Sequence, residues 1–386
     1  MSWLNNLKRE IQMLGKPVHP RAERRPAPGL AVHFGLDSAS APASIKDISA
    51  DGIYLSTEKR LPTGELTTLI ILPAEGRPLD DSEAQVSIQA QVERQGEDGI
   101  GLSFVLPPGL DTDLWEVLVR NIAVLTDKDQ IAHMIRTLRA ILFLCRLCQS
   151  EAEEAIVLLG GEFDSDHTEN LFKIAFATEN LLASEHDAER MRAHPRLVAN
   201  ILREGSWAPD ELTRQLWTGL LASSCSIDTP DDSNQVFVNL LIQVTPVQAR
   251  ILSHACERAL GSAPEAGNSP SRSIALDPEE MIRLTGIHDL TRATTDLAYL
   301  YNLGLIQKLF DFTSYREVDS FDITPTSLGL ELYKHCHGSR EKVEPHLVEA
   351  ANAHLLNFLP PPRPIVAQPS FLDGQTHSSP LASSGG

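Results

Sequence analysis

The stretch IKDISADGIYL, residues 45–55, lies between two runs in which apolar and polar residues alternate. Its centre has the pattern D-x-S-x-x-G, formed by Asp47, Ser49 and Gly52. One interpretation is a β-hairpin, because Asp and Ser side chains fold back onto nearby backbone N–H groups and Asp51-Gly52 permits a tight turn with positive φ. The same polar groups also suit a binding site, provided that basic partners exist elsewhere in the chain.

Alternation with a period near two extends on both sides of this stretch and predicts six short strands. They are separated by turn-rich spacers such as PTGE and GEDG. The predicted strands are Leu30–Phe34, Ala43–Ile48, Gly52–Ser56, Leu66–Leu72, Val86–Arg94 and Gly99–Phe104. This spacing predicts a small antiparallel β-barrel. From Gly109 the pattern becomes helical, so the first domain is expected to close near residue 125.

Composition and charge limit the function classes. A chain of 386 residues with 42% hydrophobic content has enough apolar residues for at least two cores. A net charge of −19 argues against a general nucleic-acid or anionic-membrane binder. Five cysteines without a signal peptide predict a reducing, cytoplasmic location. Cys145 and Cys148 form C-x-x-C inside an apolar helical run, and we expect them to be core residues.

The N-terminal segment differs from the rest of the chain in charge. Residues 1–25 carry six basic and two acidic side chains. Residues 1–16 have apolar positions at helical spacing and predict an amphipathic helix. This helix either docks onto its own domain or contacts a membrane or a partner. Arg21 and Arg25 follow as R-x-x-x-R in a Pro- and Gly-rich arm that enters the first strand near Leu30.

The arm, the D-x-S-x-x-G turn and the IGLSFV end of the barrel together resemble the PilZ family, over roughly residues 17–124. The resemblance implies a six-stranded barrel and a bacterial cytoplasmic receptor for the second messenger cyclic di-GMP. It also implies which residues bind the nucleotide. They are Arg21, Arg25, Asp47, Ser49 and Gly52, with Arg24 as a possible additional ligand residue. Degenerate barrels of this type that bind no nucleotide remain an alternative.

The chemistry of cyclic di-GMP matches these residue types. Guanidinium groups pair with phosphates and with the O6/N7 edge of guanine. The carboxylate of Asp47 can accept from guanine N1–H and N2–H, and the Ser49 hydroxyl can donate or accept. Gly52 lets the backbone approach the ring closely. No catalytic triad, paired-carboxylate site or metal site is evident, so we expect a non-enzymatic protein without a cofactor.

The remainder of the chain has helical patterns. A stretch that includes HPRLVANILREGSWAPDELTRQLWTGLLASSC resembles the Abi-alpha family, helical proteins linked to abortive phage infection, over roughly residues 195–340. Within it, the order helix, helix, strand 305–310, strand 321–324, helix predicts a winged helix. Residues 277–337 carry ten acidic and five basic side chains, so we expect protein contact there and no DNA binding.

These observations predict an α+β multidomain chain with six segments. They are an N-terminal helix (1–16), a PilZ-like barrel with its helix (17–125), a helical connector (126–194), an Abi-alpha-like region (195–340), a C-terminal helix (341–359) and a disordered tail (360–386). The predicted function is a cyclic di-GMP receptor that signals to an unknown protein partner through its helical region. The alternative is a phage-defence effector whose barrel is structural and binds no nucleotide.

Overall fold

The computed structural model describes residues 23–356 except 36–41, 75–82, 109, 111, 150–164, 229, 231, 262–272 and 308–319. The predicted N-terminal helix 1–16, Arg21 and the predicted tail 360–386 lie outside the described residues.

The N-terminal part is a closed six-stranded antiparallel barrel in the order β1-β2-β3-β6-β5-β4, and β4 pairs with β1 to close it. The strands are β1 (Leu30–Phe34), β2 (Ala43–Ile48), β3 (Gly52–Ser56), β4 (Leu66–Pro73), β5 (Val86–Gln95) and β6 (Gly99–Val105). The predicted barrel is therefore confirmed. The predicted bounds of β1 to β3 agree with the structure, and each of the other three strands ends one residue later than predicted.

The barrel interior is filled by the apolar residues that alternate along each strand. Ile53 and Leu55 of β3 are fully buried, as are Leu69, Ala90 and Ile100 on neighbouring strands. Burying each large aliphatic side chain stabilises the fold by about 1.5–3 kcal/mol. The intervening residues face outward, and the candidate site forms on this outer face.

Two β-bulges interrupt the alternation. In β2 the register passes from Ile45 opposite Leu55 to Asp47 opposite Tyr54, so Lys46 is the extra residue. In β5 it passes from Val92 opposite Leu102 to Arg94 opposite Gly101. A bulge inserts one residue on one strand and changes where the neighbouring side chains point.

The rest of the described chain is mainly helical. The helices are α1 (Thr112–Val124), α2 (Lys128–Cys148), α3 (Ser165–Ala183), α4 (Pro195–Gly205), α5 (Glu211–Ser223), α6 (Gln235–Gln243), α7 (Pro246–Gly261), α8 (Pro278–Thr285), α9 (Leu290–Asn302), α10 (Ser327–His335) and α11 (Pro345–Leu356). Two short strands, β7 (Ala275–Leu276) and β8 (Phe321–Asp322), pair with each other.

Helix α2 joins the barrel to the helical region. It packs against β4, β5 and α3. Its Arg136 lies 3.7 Å from Glu83, just before β5, and 3.3 Å from Glu169 of α3. The buried apolar residues of the barrel and of the helices form one continuous core. A movement of the barrel wall can therefore reach the helices through direct packing.

The predicted winged-helix ending is not confirmed. The second predicted strand exists as β8, and it pairs with β7, a strand before α8 that the sequence pattern did not predict. Of the first predicted strand, 305–310, Ile306 forms one isolated bridge to Pro325 and residues from 308 onward lie outside the described part. The pattern of the sequence located β8 but not its partner, because pairing with a strand 45 residues away is set by tertiary packing.

Two further features bear on the sequence predictions. All five cysteines are buried and none forms a disulfide, and the burial of Cys145 and Cys148 confirms that this C-x-x-C belongs to the core. Burial raises the pKa of Cys145 to about 12.

Within the described residues no single helix has the length and apolarity to cross a bilayer, whereas α6 and α7, bent by 120°, meet both criteria as a pair.

Candidate ligand-binding site

The D-x-S-x-x-G turn is closed by its own backbone. The Ser49 N–H donates to Gly52 O at 2.8 Å, and the Gly52 N–H donates to Ser49 O at 3.3 Å. The Ser49 hydroxyl also donates to Gly52 O at 3.3 Å, and Ser49 is only 3% exposed. The Ser49 side chain therefore helps to hold the turn.

Gly52 is needed for a different reason from the one expected. The hairpin interpretation required a positive φ at Gly52. The glycines with positive φ include Gly64 but not Gly52, so that prediction is wrong. A Cβ at Gly52 would lie 2.1 Å from the carbonyl oxygen of Leu102 on β6. The position requires glycine because two strands approach each other closely there, a contact that the local sequence does not reveal.

The arginine arm lies beside the end of β2. The Arg25 N–H donates to Ile48 O at 2.9 Å, and the Ile48 N–H donates to Arg25 O at 2.8 Å. The neighbouring Arg24 Nη1 lies 2.5 Å from Asp47 Oδ1, and Arg25 Nη2 lies 2.7 Å from Glu23 Oε2. The arm is thus bound through both its backbone and its side chains to the strand that carries the motif.

The structure brings five of the six predicted site residues to one place. Arg24 and Arg25 border β2, and Asp47, Ser49 and Gly52 lie at its end and in the following turn. Arg21, four residues before Arg25, lies outside the described residues. Among the residues that the structure describes, Asp47 accepts from the Arg24 side chain and from no backbone N–H, unlike in the simple hairpin interpretation. The proximity of arm and turn is what a two-sided ligand clamp requires.

A row of residues continues from Asp47 across the outer face. Asp47 on β2 is opposite Tyr54 on β3, Tyr54 is opposite Gly101 on β6, and Gly101 is opposite Arg94 on β5. Directly opposed residues point to the same face of a sheet. The row therefore places a carboxylate, an aromatic ring and a guanidinium group along one line over four adjacent strands.

A shallow pocket lies along this row. It has a volume of about 270 Å³ and is lined by Lys46, Asp47, Tyr54, Arg94, Gln95 and Gly96. Ligand pockets for drug-sized molecules usually have volumes of about 300–1,000 Å³. The pocket is therefore large enough for part of a dinucleotide, such as one base, and the rest of such a ligand would lie on the open surface beside it.

Asp98, in the turn between β5 and β6, fixes two of the pocket side chains. It accepts from Lys46 Nζ at 2.7 Å and from the Tyr54 hydroxyl at 2.8 Å. The hydrogen bond from Lys46 and then that from Tyr54 lower the pKa of Asp98. The bond to Asp98 in turn raises the pKa of Tyr54 and that of Lys46. The tyrosine is thereby held neutral and the carboxylate charged.

The sequence analysis missed Lys46, Tyr54, Arg94 and Asp98 as site residues. A signal was present in two places, because the strict alternation of the predicted strands fails at Lys46-Asp47 and at Glu93-Arg94, where consecutive polar residues occur. Such an interruption is typical of a β-bulge, and bulges are frequent beside functional sites.

The turn is also attached to the first helix. Trp115 Nε1 of α1 donates to Ala50 O at 2.8 Å, and its ring packs edge-on against Phe104 of β6 at 5.6 Å. Trp115 is 2% exposed, and Phe104 N–H donates to Asp51 O at 3.0 Å. The turn is therefore in direct contact with α1, which is followed by α2 and the helical region.

Comparison with known families agrees with this architecture. The family model of the PilZ domain matches residues 19–122, and that of abortive infection alpha matches residues 167–336. The second match begins earlier than the predicted start at residue 195. The packing explains this start, since α3 lies against α4 and α5 as part of the same helical unit. No curated protein and no solved structure matches the chain.

The PilZ family is a family of cyclic di-GMP receptors, and the match to it agrees with the resemblance seen in the sequence. The second match suggests a link to abortive infection. The chain is therefore similar to the PilZ domain family over its barrel and to the abortive infection alpha family over most of its helical region, in that order.

Proposed function

We propose that the barrel binds cyclic di-GMP without chemical conversion and that the helical region passes this signal to a protein partner. The observation that carries the proposal is the position of the arm, whose Arg24 and Arg25 lie against Asp47 and Ile48 beside the D-x-S-x-x-G turn. Arg21, Arg25 and Asp47 would hold the nucleotide between the arm and the barrel, and Arg24 would orient Asp47.

The local charge supports an anionic ligand. The arm and pocket contain Arg24, Arg25, Lys46 and Arg94 against the carboxylates of Glu23, Asp47 and Asp98, a net charge of +1. The whole chain carries −19. A positive patch on a strongly acidic protein attracts phosphate locally while the remaining surface repels it.

The bonds within the arm are of a kind that a ligand can replace. The Arg25–Glu23 and Arg24–Asp47 pairs lie at the surface, with 33% and 44% of the two arginine side chains exposed. Such pairs contribute about 0–1 kcal/mol each. Charge-assisted bonds from a guanidinium group to phosphate or guanine are stronger, at about 1.5–3 kcal/mol. Ligand binding therefore favours rearrangement of the arm.

Transmission would begin at the turn. Guanine bound at Asp47 and Ser49 would restrain the backbone at Ala50, to which Trp115 of α1 is hydrogen-bonded. Helix α1 packs on α2, and α2 contacts both the barrel and α3. This contiguous packing is a physical route from the site to the helical region.

Calorimetric titration of the full chain with cyclic di-GMP tests the proposal. We expect a dissociation constant on the order of micromolar or below. Arg25→Ala should weaken binding by at least about 2 kcal/mol, and Arg21→Ala should behave similarly. Arg120→Ala is the matched control, since Arg120 lies on α1 with its partner Glu116 and its loss changes net charge equally. Absence of binding at hundreds of micromolar would refute the proposal.

The second match supports a second candidate function. In it, the helical region acts in abortive infection and the barrel is a structural part that binds no nucleotide. Phage challenge of bacteria that express the full chain tests this function. The second candidate would be favoured over the receptor if two results are found together. The wild type and Arg25→Ala protect equally well against phage, and calorimetry shows no binding of cyclic di-GMP. Protection that Arg25→Ala abolishes would join the two functions in one protein.

A further inference from the structure

Arg94 and Tyr54 meet across a single glycine. Both are directly opposite Gly101, which lies between them on β6. Adjacent strands are about 4.8 Å apart, so the two backbones are separated by roughly 10 Å and the long Arg94 side chain spans the gap. Its guanidinium carbon lies 5.5 Å from the centre of the Tyr54 ring, within the range of a cation–π contact.

Three glycines provide the room for this arrangement. A Cβ at Gly96 would lie 2.1 Å from the Tyr54 hydroxyl oxygen, and one at Gly99 would lie 3.1 Å from Tyr54 Cε1. At Gly101 a Cβ would lie 3.0 Å from both Cγ and Nε of Arg94. Side chains at these positions would displace the ring or the arginine. The glycines of GEDGIG therefore leave the space that the Tyr54 and Arg94 side chains occupy.

Arg94 differs from the neighbouring cations in its partners. Lys46 is bound to Asp98, Arg24 to Asp47 and Arg25 to Glu23. Within the part of the chain that the structure describes, Arg94 forms no ion pair and no hydrogen bond, and its contact is with the Tyr54 ring. Contact with a ring face leaves the N–H donors at the edge of the guanidinium plane available.

The position of Arg94 extends the motif-based site. It lines the same pocket as Asp47 and stands at the opposite end of the row Asp47, Tyr54, Gly101, Arg94. A cyclic dinucleotide has two phosphates and two guanine edges, which is more acceptor surface than the arm and the turn alone would engage. A third guanidinium group at the far end of the row is positioned for the part of the ligand that the motif residues do not reach.

We propose that Arg94, supported by the Tyr54 ring, is a further ligand-binding residue that donates in bidentate fashion to paired acceptors of the nucleotide, either a phosphate or a guanine O6/N7 edge. This inference rests on the proposed cyclic di-GMP function. Both acceptors suit the planar fork of arginine, whereas a lysine supplies only a point charge.

Calorimetry on the full chain, with cyclic di-GMP as the probe, tests the role of Arg94. Arg94→Ala should lower the affinity at least about tenfold, in line with the loss of one bidentate contact. Arg94→Lys should lower it less, because the charge remains while the fork is lost. Arg120→Ala removes the same charge from α1 and should leave the affinity unchanged. The thermal unfolding midpoint of each variant reports whether the barrel remains folded.

The salt dependence of binding distinguishes the two acceptors. If Arg94 contacts phosphate, Arg94→Ala should markedly weaken the salt dependence of the affinity, because a charge–charge contact that salt screens is lost. If it contacts guanine, the affinity falls and the salt dependence changes less. Either result supports the inference.

Two outcomes overturn it. A wild type that binds while Arg94→Ala and Arg120→Ala have the same affinity removes Arg94 from the site and leaves the proposed function intact. A wild type that does not bind refutes the proposed function and this inference together.

Discussion

Arg24 Nη1 and Asp47 Oδ1 lie 2.5 Å apart, joining the arm to the carboxylate at the end of β2. The R-x-x-x-R pattern predicts Arg21 and Arg25 as ligand-binding residues, and Arg24 is predicted only as a possible additional one. A carboxylate has lone pairs for more than one donor, so this bond fixes the orientation of Asp47 while leaving capacity for guanine. Arg24 is therefore a positioning residue in our interpretation of the site.

Substitution of Arg24 tests this interpretation. Arg24→Ala should weaken cyclic di-GMP binding, by less than Arg25→Ala does, because Asp47 loses its orientation and the site loses one positive charge. The free energy of unfolding should change by less than about 1 kcal/mol, since the pair is at the surface. Calorimetry and denaturant unfolding measure the two effects. Tighter binding by Arg24→Ala would mean that Arg24 competes with the ligand for Asp47.

Gly52→Ala should destabilise the barrel. The added Cβ would lie 2.1 Å from Leu102 O, so β3 and β6 must separate, at a cost of about 1–3 kcal/mol or more. Gly261→Ala is the control, because a Cβ there meets nothing within 4 Å. Denaturant unfolding should show a lower midpoint for Gly52→Ala than for Gly261→Ala. Equal midpoints would contradict the close approach of the two strands.

Trp115→Phe should uncouple the turn from α1. It keeps an aromatic ring against Phe104 but removes the hydrogen bond to Ala50 O, which contributes about 0.5–1.5 kcal/mol. Hydrogen exchange of the full chain with cyclic di-GMP should show slower exchange in residues 15–30 for both proteins. Changes beyond residue 125 should occur in the wild type and diminish in Trp115→Phe. Unaltered long-range changes in the variant would exclude Trp115 as the connection.

The Lys46–Asp98–Tyr54 cluster makes a prediction about pH. Hydrogen bonds hold the pKa of Asp98 below its ordinary value of 3.8, so the folded state gains stability at pH values above that value and loses it as the pH falls through the lower, folded-state pKa. Lys46→Ala should raise the pKa of Asp98 towards 3.8, and Lys59→Ala, which removes a lysine that contacts Phe34 instead, should not. Carbon-13 NMR of the carboxyl groups measures both. An Asp98 pKa that is the same in both variants would contradict the observed bonding.

The strands of the barrel could be predicted because their information is local. Each residue on a strand faces either the core or the solvent, so the alternation of Val86, Ser87 and Ile88 in β5 indicates directly which side is buried. The arm and the turn could be placed near each other through the family resemblance. The bulges at Lys46 and at Glu93-Arg94 interrupt this local pattern, and the sequence alone does not say which strands they will face.

Tertiary structure decided the rest of the site. Arg94 and Asp47 are 47 positions apart in the chain and share one row only because β2, β3, β6 and β5 are neighbours with that particular register. The requirement for Gly52 comes from Leu102 on another strand, and β8 pairs with β7, a strand that precedes it by 45 residues. Alternation determines the face of each residue on its own strand. Its partners depend on strand order and register, which follow from closure of the whole barrel and from packing of the whole core.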